Sequence, residues 1–129
     1  MLITMLCGVG LYASLFMLGK ARRAARGELS EPSVVESARA RLYGGIPNAL
    51  LGTLYYPTLS AVTWPVLPKP LALAAFAVVC FAAATSAVLA YSLLYVTRRS
   101  CAYCWASHAA NWLLVILFAV HLWGGGLLR

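Results

Sequence analysis

Two cysteines three residues apart carry the clearest chemical signal in the chain, in Ser100-Cys101-Ala102-Tyr103-Cys104. At a helix start such a pair lies on one face within bonding reach. Ser100 is placed to cap that helix, and the free N–H groups of a first turn favour a thiolate. Arg98 and Arg99 add positive potential beside it. A lowered thiol pKa lets one sulfur attack while the other resolves, so the pattern points to thiol–disulfide exchange. Two cysteines serving only as small hydrophobes are the plainer alternative. Cys101, Cys104, His108 and Asn111 follow at spacings of three, four and three, one stripe of a helix. A second run offers a counterpart in Asn48, with Thr53, Tyr55 and Tyr56 after it. Taken singly, His108 or Asn48 fits a helix–helix hydrogen bond as well as a ligand contact. Taken together with the cysteines, they describe a pocket that hydrogen-bonds an electron acceptor.

The elements that must hold these residues are legible in the composition. Of 129 residues, 63% are hydrophobic and 10% charged, with a mean hydropathy of +0.84. A soluble domain carries about a quarter charged residues. Ten Lys and Arg stand against three Asp and Glu, a formal charge of +7. These values exclude a water-soluble globule, a disordered tail and a disulfide-dense secreted miniprotein. The basic residues lie between apolar runs, not along one polar face, so no nucleic-acid partner is expected. The partner is a lipid bilayer.

Charges are absent from residues 1–19, 42–68, 70–97 and 100–128. A spanning helix needs roughly 20 apolar residues, so each window supplies one span. The spans are read near 1–19, 44–64, 71–95 and 101–123, with a polar linker over 20–43, all within a single domain of residues 1–129. The runs are continuously apolar, without the alternation of barrel strands. The fold class is therefore all-α, an integral membrane four-helix bundle. Trp64-Pro65-Val66-Leu67-Pro68-Lys69-Pro70 breaks the chain between spans two and three, and Arg98-Arg99-Ser100 between three and four. The first span reads as retained and not as a signal peptide, because its basic cluster follows the apolar run.

The linker and the turn after span three share one side of the membrane. They hold Lys20, Arg22, Arg23, Arg26, Arg39, Arg41, Arg98 and Arg99, against Lys69 and Arg129 opposite. The positive-inside rule then puts the dithiol end in the cytoplasm. No second Cys/His pair falls on that side to complete a zinc site, so no metal is expected.

Gly45-Ile46-Pro47-Asn48-Ala49-Leu50-Leu51-Gly52-Thr53-Leu54-Tyr55-Tyr56 followed by Cys101-Ala102-Tyr103-Cys104 resembles the vitamin K epoxide reductase family, with its bacterial and archaeal homologues. The resemblance covers spans two to four, and span one by position only. It implies a bundle around a quinone of ubiquinone or menaquinone type, with the dithiol at the pocket mouth. Cys104 would exchange electrons with the quinone and Cys101 would exchange disulfides with a thioredoxin-like redox protein, whose reoxidation drives disulfide formation. Asn48 matches the family's quinone-carbonyl asparagine, and His108 stands where vertebrate members place a tyrosine. His108, with an unperturbed pKa of about 6.5, could also supply a proton. Tyr55, Tyr56 and Asn111 complete the expected quinone-binding set.

The family usually carries a further cysteine pair between spans one and two, and residues 20–43 contain none. Ser33 or Ser37 stands where the second of that pair is expected. Either the relay is naturally lacking, and a partner reaches Cys101 directly, or serine has replaced cysteine. Cys7 and Cys80 read as packing residues. Bacterial relatives hold the dithiol outside, whereas the arginines here hold it inside. Disulfide-rich cytosols make the inverted arrangement physically sensible. Two rival functions keep the same sequence: a small-molecule transporter lined by His108, Asn111 and Asn48, and a non-catalytic assembly subunit with a structural CxxC.

Overall fold

Gly44 (φ +59°), Gly45 (φ +80°) and Pro47 set the shape of one whole side of the molecule. Two left-handed glycines cannot continue a helix, and a proline suits the position just before one. The helix expected from Gly44 therefore begins only at Asn48. The computed structural model describes residues 1–31, 33–64 and 67–124. Its elements are α1 (Leu2–Ala25), α2 (Asn48–Thr63), α3 (Lys69–Tyr91) and α4 (Ala102–Trp123). Short 3₁₀ turns cover Val34–Glu36 and Ala38–Arg41, and a π turn, Ser92–Thr97, continues α3. Among the described residues the only β pairing is an isolated bridge between Tyr43 and Ile46.

The molecule is a helical membrane bundle. Among the described residues three helices are long and apolar enough to cross a bilayer: α1, α3 with its π continuation, and α4. At 16 residues, α2 is about 24 Å long, somewhat short of a hydrocarbon core of about 30 Å. α1 runs six residues beyond the expected Gly19, to Ala25. Its last turn holds Arg22 and Arg23, good helix formers whose charge complements the helix C-terminus. Gly27, at φ +72°, then ends it. Of the expected proline turn, Pro65 and Val66 lie outside the described residues. Pro68 caps α3 and Pro70 sits in its first turn, where a missing N–H costs nothing.

α1 packs against α2 and α4, and α3 against α4, whereas α2 and α3 do not pack closely. The core draws on every helix: Cys7, Tyr56, Leu59, Val79, Leu114 and Phe118. Lipid is as apolar as these side chains, so close backbone approach matters more than apolar burial. Small residues make that approach possible on the α1–α2 seam. A Cβ on Gly10 would overlap the Tyr56 ring, and one on Gly52 would meet Ser14. Outward positions such as Leu54, Leu113 and Ile116 remain exposed, as a lipid-facing surface requires.

Candidate active site: a disulfide beside an apolar cavity

The cysteines sit where the chain reverses from α3 into α4. Arg98 adopts the left-handed conformation (φ 48°) at the end of the π turn, and Cys101 is extended at φ −144°. The N-cap of α4 is Cys101, not Ser100 as expected. Its Sγ accepts the Cys104 N–H at 3.2 Å, so a sulfur does the work assigned to the serine hydroxyl. Cys101 and Cys104 form a disulfide across a Cα–Cα distance of 5.2 Å. α1 holds this turn from one side. Met17 Sδ lies 3.9 Å from Cys101 Sγ, and Tyr103, between the cysteines, stacks on Phe16 at 3.9 Å between ring centroids.

Beside the disulfide is a cavity of about 530 Å³, walled by all four helices and by the segment before α2. Its surface is mainly apolar, with Ala13, Leu51, Val78, Phe81, Leu89 and Leu93 among the wall residues. Cys104, Asn48, Tyr55, Tyr56, His108 and Asn111 all line it. Cys101 is not among the described wall residues. The two sulfurs thus differ: one borders the cavity and the other faces α1 and the chain reversal.

The polar groups of the wall fall into two classes. In the first, every group is already engaged by protein. Tyr56 Oη donates to Asn111 Oδ1 at 3.0 Å and pairs with Ser107 Oγ at 2.9 Å. Asn111 Nδ2 donates to Ser86 Oγ at 2.7 Å, so its amide is engaged at both ends. Asn48 ties down the preceding segment. Its Nδ2 donates to the Arg39 carbonyl at 2.7 Å and its Oδ1 accepts the Leu42 N–H at 3.1 Å, leaving one N–H unused. The second class is buried and unpartnered among the described residues: both ring nitrogens of His108, the Tyr55 hydroxyl and the Ser92 hydroxyl. A buried polar group without a partner costs about 1–3 kcal/mol. These are the groups with hydrogen-bonding capacity left for a ligand. Trp105 and Trp112 flank His108, with ring centroids 6.2 and 6.3 Å from its own.

Where α2 and α3 diverge, the segment before α2 bridges the gap. Tyr43 Oη lies 2.8 Å from Thr85 Oγ1 on α3, and Arg41 reaches the Gly45 carbonyl at 3.3 Å. The two serines in the expected place of a relay cysteine serve local turns instead. The Ser33 N–H donates to Glu36 Oε2 at 2.8 Å, and Ser37 Oγ donates to the Val34 carbonyl at 2.7 Å. Cys7 is a buried free thiol and Cys80 a half-buried one. Sequence reasoning passed over Ser86, Ser92 and Thr85. They interrupt an otherwise apolar helix, and a polar group in a span is a pointer to the bundle interior.

No curated protein sequence matches the chain. The Vitamin K epoxide reductase family does, through a family model that matches residues 1–119. With that match across nearly the whole sequence, the disulfide at the start of α4 and the apolar helices around it, the chain belongs to the vitamin K epoxide reductase family and is a membrane thiol–disulfide oxidoreductase.

Proposed function

We propose that this oxidoreductase reoxidises a thioredoxin-like partner and passes the electrons to a membrane quinone, and so drives protein disulfide formation. The observation that carries the reading is Cys104 on the wall of an apolar cavity that also holds unpartnered buried His108 and Tyr55. A quinone head fits that donor set, because its two carbonyls accept hydrogen bonds and its ring is apolar. When bound, a quinone of ubiquinone or menaquinone type supplies the sink for two electrons and two protons.

The chain's own groups divide the work. The partner's thiolate attacks Cys101 Sγ, the Cys101–Cys104 bond breaks, and Cys104 departs as a thiolate. The partner's second thiol then displaces Cys101, leaving the partner oxidised and both site cysteines reduced. The dithiol gives up two electrons and two protons through Cys104, beside the cavity, and closes again. His108 and Tyr55 orient the acceptor by donating hydrogen bonds, Asn48 offers its remaining Nδ2–H, and His108 can hold a proton in transit. Tyr56 and Asn111 keep the pocket in shape. The separation of α2 from α3 gives a lipid-soluble ring a lateral route that avoids water. Without a cysteine in residues 20–43, the partner must engage Cys101 itself.

The basic residues favour a cytoplasmic dithiol. Lys20, Arg22, Arg23, Arg26, Arg39, Arg41, Arg98 and Arg99 accompany it, whereas Lys69 stands at the other end and Arg129 lies outside the described residues. Single cysteines introduced near Arg23 and near Lys69, labelled in intact cells with an impermeant maleimide, test this. Labelling near Lys69 alone is expected, and labelling near Arg23 overturns it. The redox reading is tested by reducing the purified protein, adding a quinone analogue and counting free thiols. Two should disappear in the wild type and none in Cys104→Ala. Unchanged thiols in the wild type refute it.

A further inference from the structure

We propose that Ser92 is a ligand-contacting residue of the cavity, its hydroxyl donating a hydrogen bond to an oxygen of the quinone head at the level of Cys104. This rests on the quinone reading of the cavity and adds a donor from α3, the helix to which no sequence motif pointed. Ser92 is 2% exposed, belongs to the cavity wall, and its Oγ has no partner among the described residues.

Full enclosure without a partner sets this hydroxyl apart: the Ser14 and Ser60 hydroxyls also make no hydrogen bond, but among the described residues Ser92 has the one serine or threonine hydroxyl that is both wholly buried and unpartnered. A hydroxyl inside a helix can donate to the carbonyl four residues back. Thr53, Thr58, Thr63 and Thr85 all do so, to Ala49, Leu54, Leu59 and Phe81, at 2.7–3.0 Å. Ser86, the other cavity serine on α3, is taken by Asn111. Ser92 does neither. It is the residue at which α3 loosens into the π turn Ser92–Thr97, and single π turns in helices are frequent at functional sites.

Register sets its height. Two hydrogen bonds join α3 to α4, Asn111 to Ser86 at 2.7 Å and Trp112 to the Ala83 carbonyl at 3.3 Å. The helices are antiparallel, so carried toward the chain reversal the pairing of 112 with 83 brings Ser92 level with Tyr103 and the pairing of 111 with 86 brings it level with Trp105, on either side of Cys104. His108, by the second of these pairings, lies level with Leu89, one turn deeper. A head group held by His108 below and Ser92 above would be presented to the Cys104 sulfur and not merely retained in the cavity.

The test uses the full chain in detergent with its disulfide intact, so that no turnover occurs. The probes are duroquinone, whose fully substituted ring cannot alkylate Cys7 or Cys80, and durene, the same skeleton without oxygens. Isothermal titration calorimetry of Ser92→Ala should show duroquinone binding weakened about fivefold, as the loss of one neutral hydrogen bond implies, with durene unchanged. Thermal unfolding without ligand should give a midpoint at or above the wild type, because the variant removes a buried hydroxyl that lacks a partner. Unchanged duroquinone affinity overturns the proposal. So does a lowered midpoint with both probes weakened alike, which marks a structural role. Failure of the wild type itself to bind duroquinone removes the quinone reading beneath it.

Discussion

Replacing Tyr56 by Phe removes one oxygen from the centre of the bundle and little else. The ring is 1% exposed and fills the space that Gly10 leaves on α1, so apolar packing survives the change. What is lost is the link between α2 and α4. Asn111 Oδ1 can only accept, so the phenol proton goes there at 3.0 Å, and Ser107 supplies its own proton to the phenol oxygen at 2.9 Å. Interhelical hydrogen bonds in membrane interiors average about 0.6 kcal/mol and reach about 1.7 kcal/mol. Two such bonds, with Asn111 Oδ1 then left buried and unpaired, give a loss of about 1–3 kcal/mol. Asn111→Leu costs a similar amount, because the Tyr56 hydroxyl loses its best acceptor and keeps only Ser107, and Ser86 Oγ loses the Asn111 amide. The double variant leaves neither partner exposed to the other's loss, because apolar groups of like shape can replace a hydrogen-bonded pair at little cost. It should therefore be less destabilised than the sum of the single variants by about 1 kcal/mol. Reversible unfolding in mixed micelles, followed by tryptophan fluorescence, measures all three. Additivity within about 0.5 kcal/mol, the range for independent sites, would refute a Tyr56–Asn111 unit at the base of the cavity.

Gly10→Ala drives a methyl group into the Tyr56 ring. Overpacking of this kind costs about 1–3 kcal/mol, and the same unfolding assay should show a smaller loss when Tyr56 is already Leu. Asn48→Ala frees the Leu42 N–H and the Arg39 carbonyl. Amide exchange over residues 38–46 should quicken by about tenfold, on a contribution of about 1.4 kcal/mol from the two bonds, while α4 exchanges as before. His108→Leu removes a donor from the cavity and leaves the chain reversal intact. Quinone reduction should slow by at least about tenfold, within the range for loss of a positioned acid–base group, with thiol exchange at Cys101 unchanged. An equal loss in both half-reactions contradicts the assigned division of labour.

The sequence disclosed the fold class and the family more fully than the supports of the site. Charge-free runs set the four helices because lipid tolerates little else, and the spacing of Cys104, His108 and Asn111 set one face of α4, while Cys101, expected on the same stripe, stands before the helix as its N-cap and faces α1. Helix ends were less legible. Gly44, Gly45 and Pro47 delay α2, and Arg22 and Arg23 prolong α1; both effects are local backbone and charge preferences that hydropathy averages away. The cap of α4 was misplaced by one residue because a disulfide sulfur can accept an N–H as a serine oxygen does. Asn111 and Asn48 have the same side chain, yet one is engaged at both ends across helices and the other ties a loop. Only tertiary partners distinguish them. Ser92 escaped notice because a serine in an apolar run points to the bundle interior without telling whether its hydroxyl already has a partner there.

The absence of a cysteine from residues 20–43 makes the N-cap position of Cys101 more consequential. Its sulfur both accepts the Cys104 N–H and lies against Met17, so in the proposed exchange a partner thiolate would approach past the face of α1 that carries Met17. Basic residues on that face give an acidic or thiolate-bearing surface a favourable approach, more so at low ionic strength.

The most direct measurement mixes the reduced protein with one equivalent of duroquinone under nitrogen. Quinol is followed by absorbance, and the cysteine-containing peptides are then mapped by mass spectrometry. One quinol per chain should form, with Cys101 joined to Cys104 and both Cys7 and Cys80 still free. Quinol formed while Cys101 and Cys104 stay reduced, or their disulfide closing with no quinol produced, would contradict transfer of the electron pair from this dithiol into the cavity beside it.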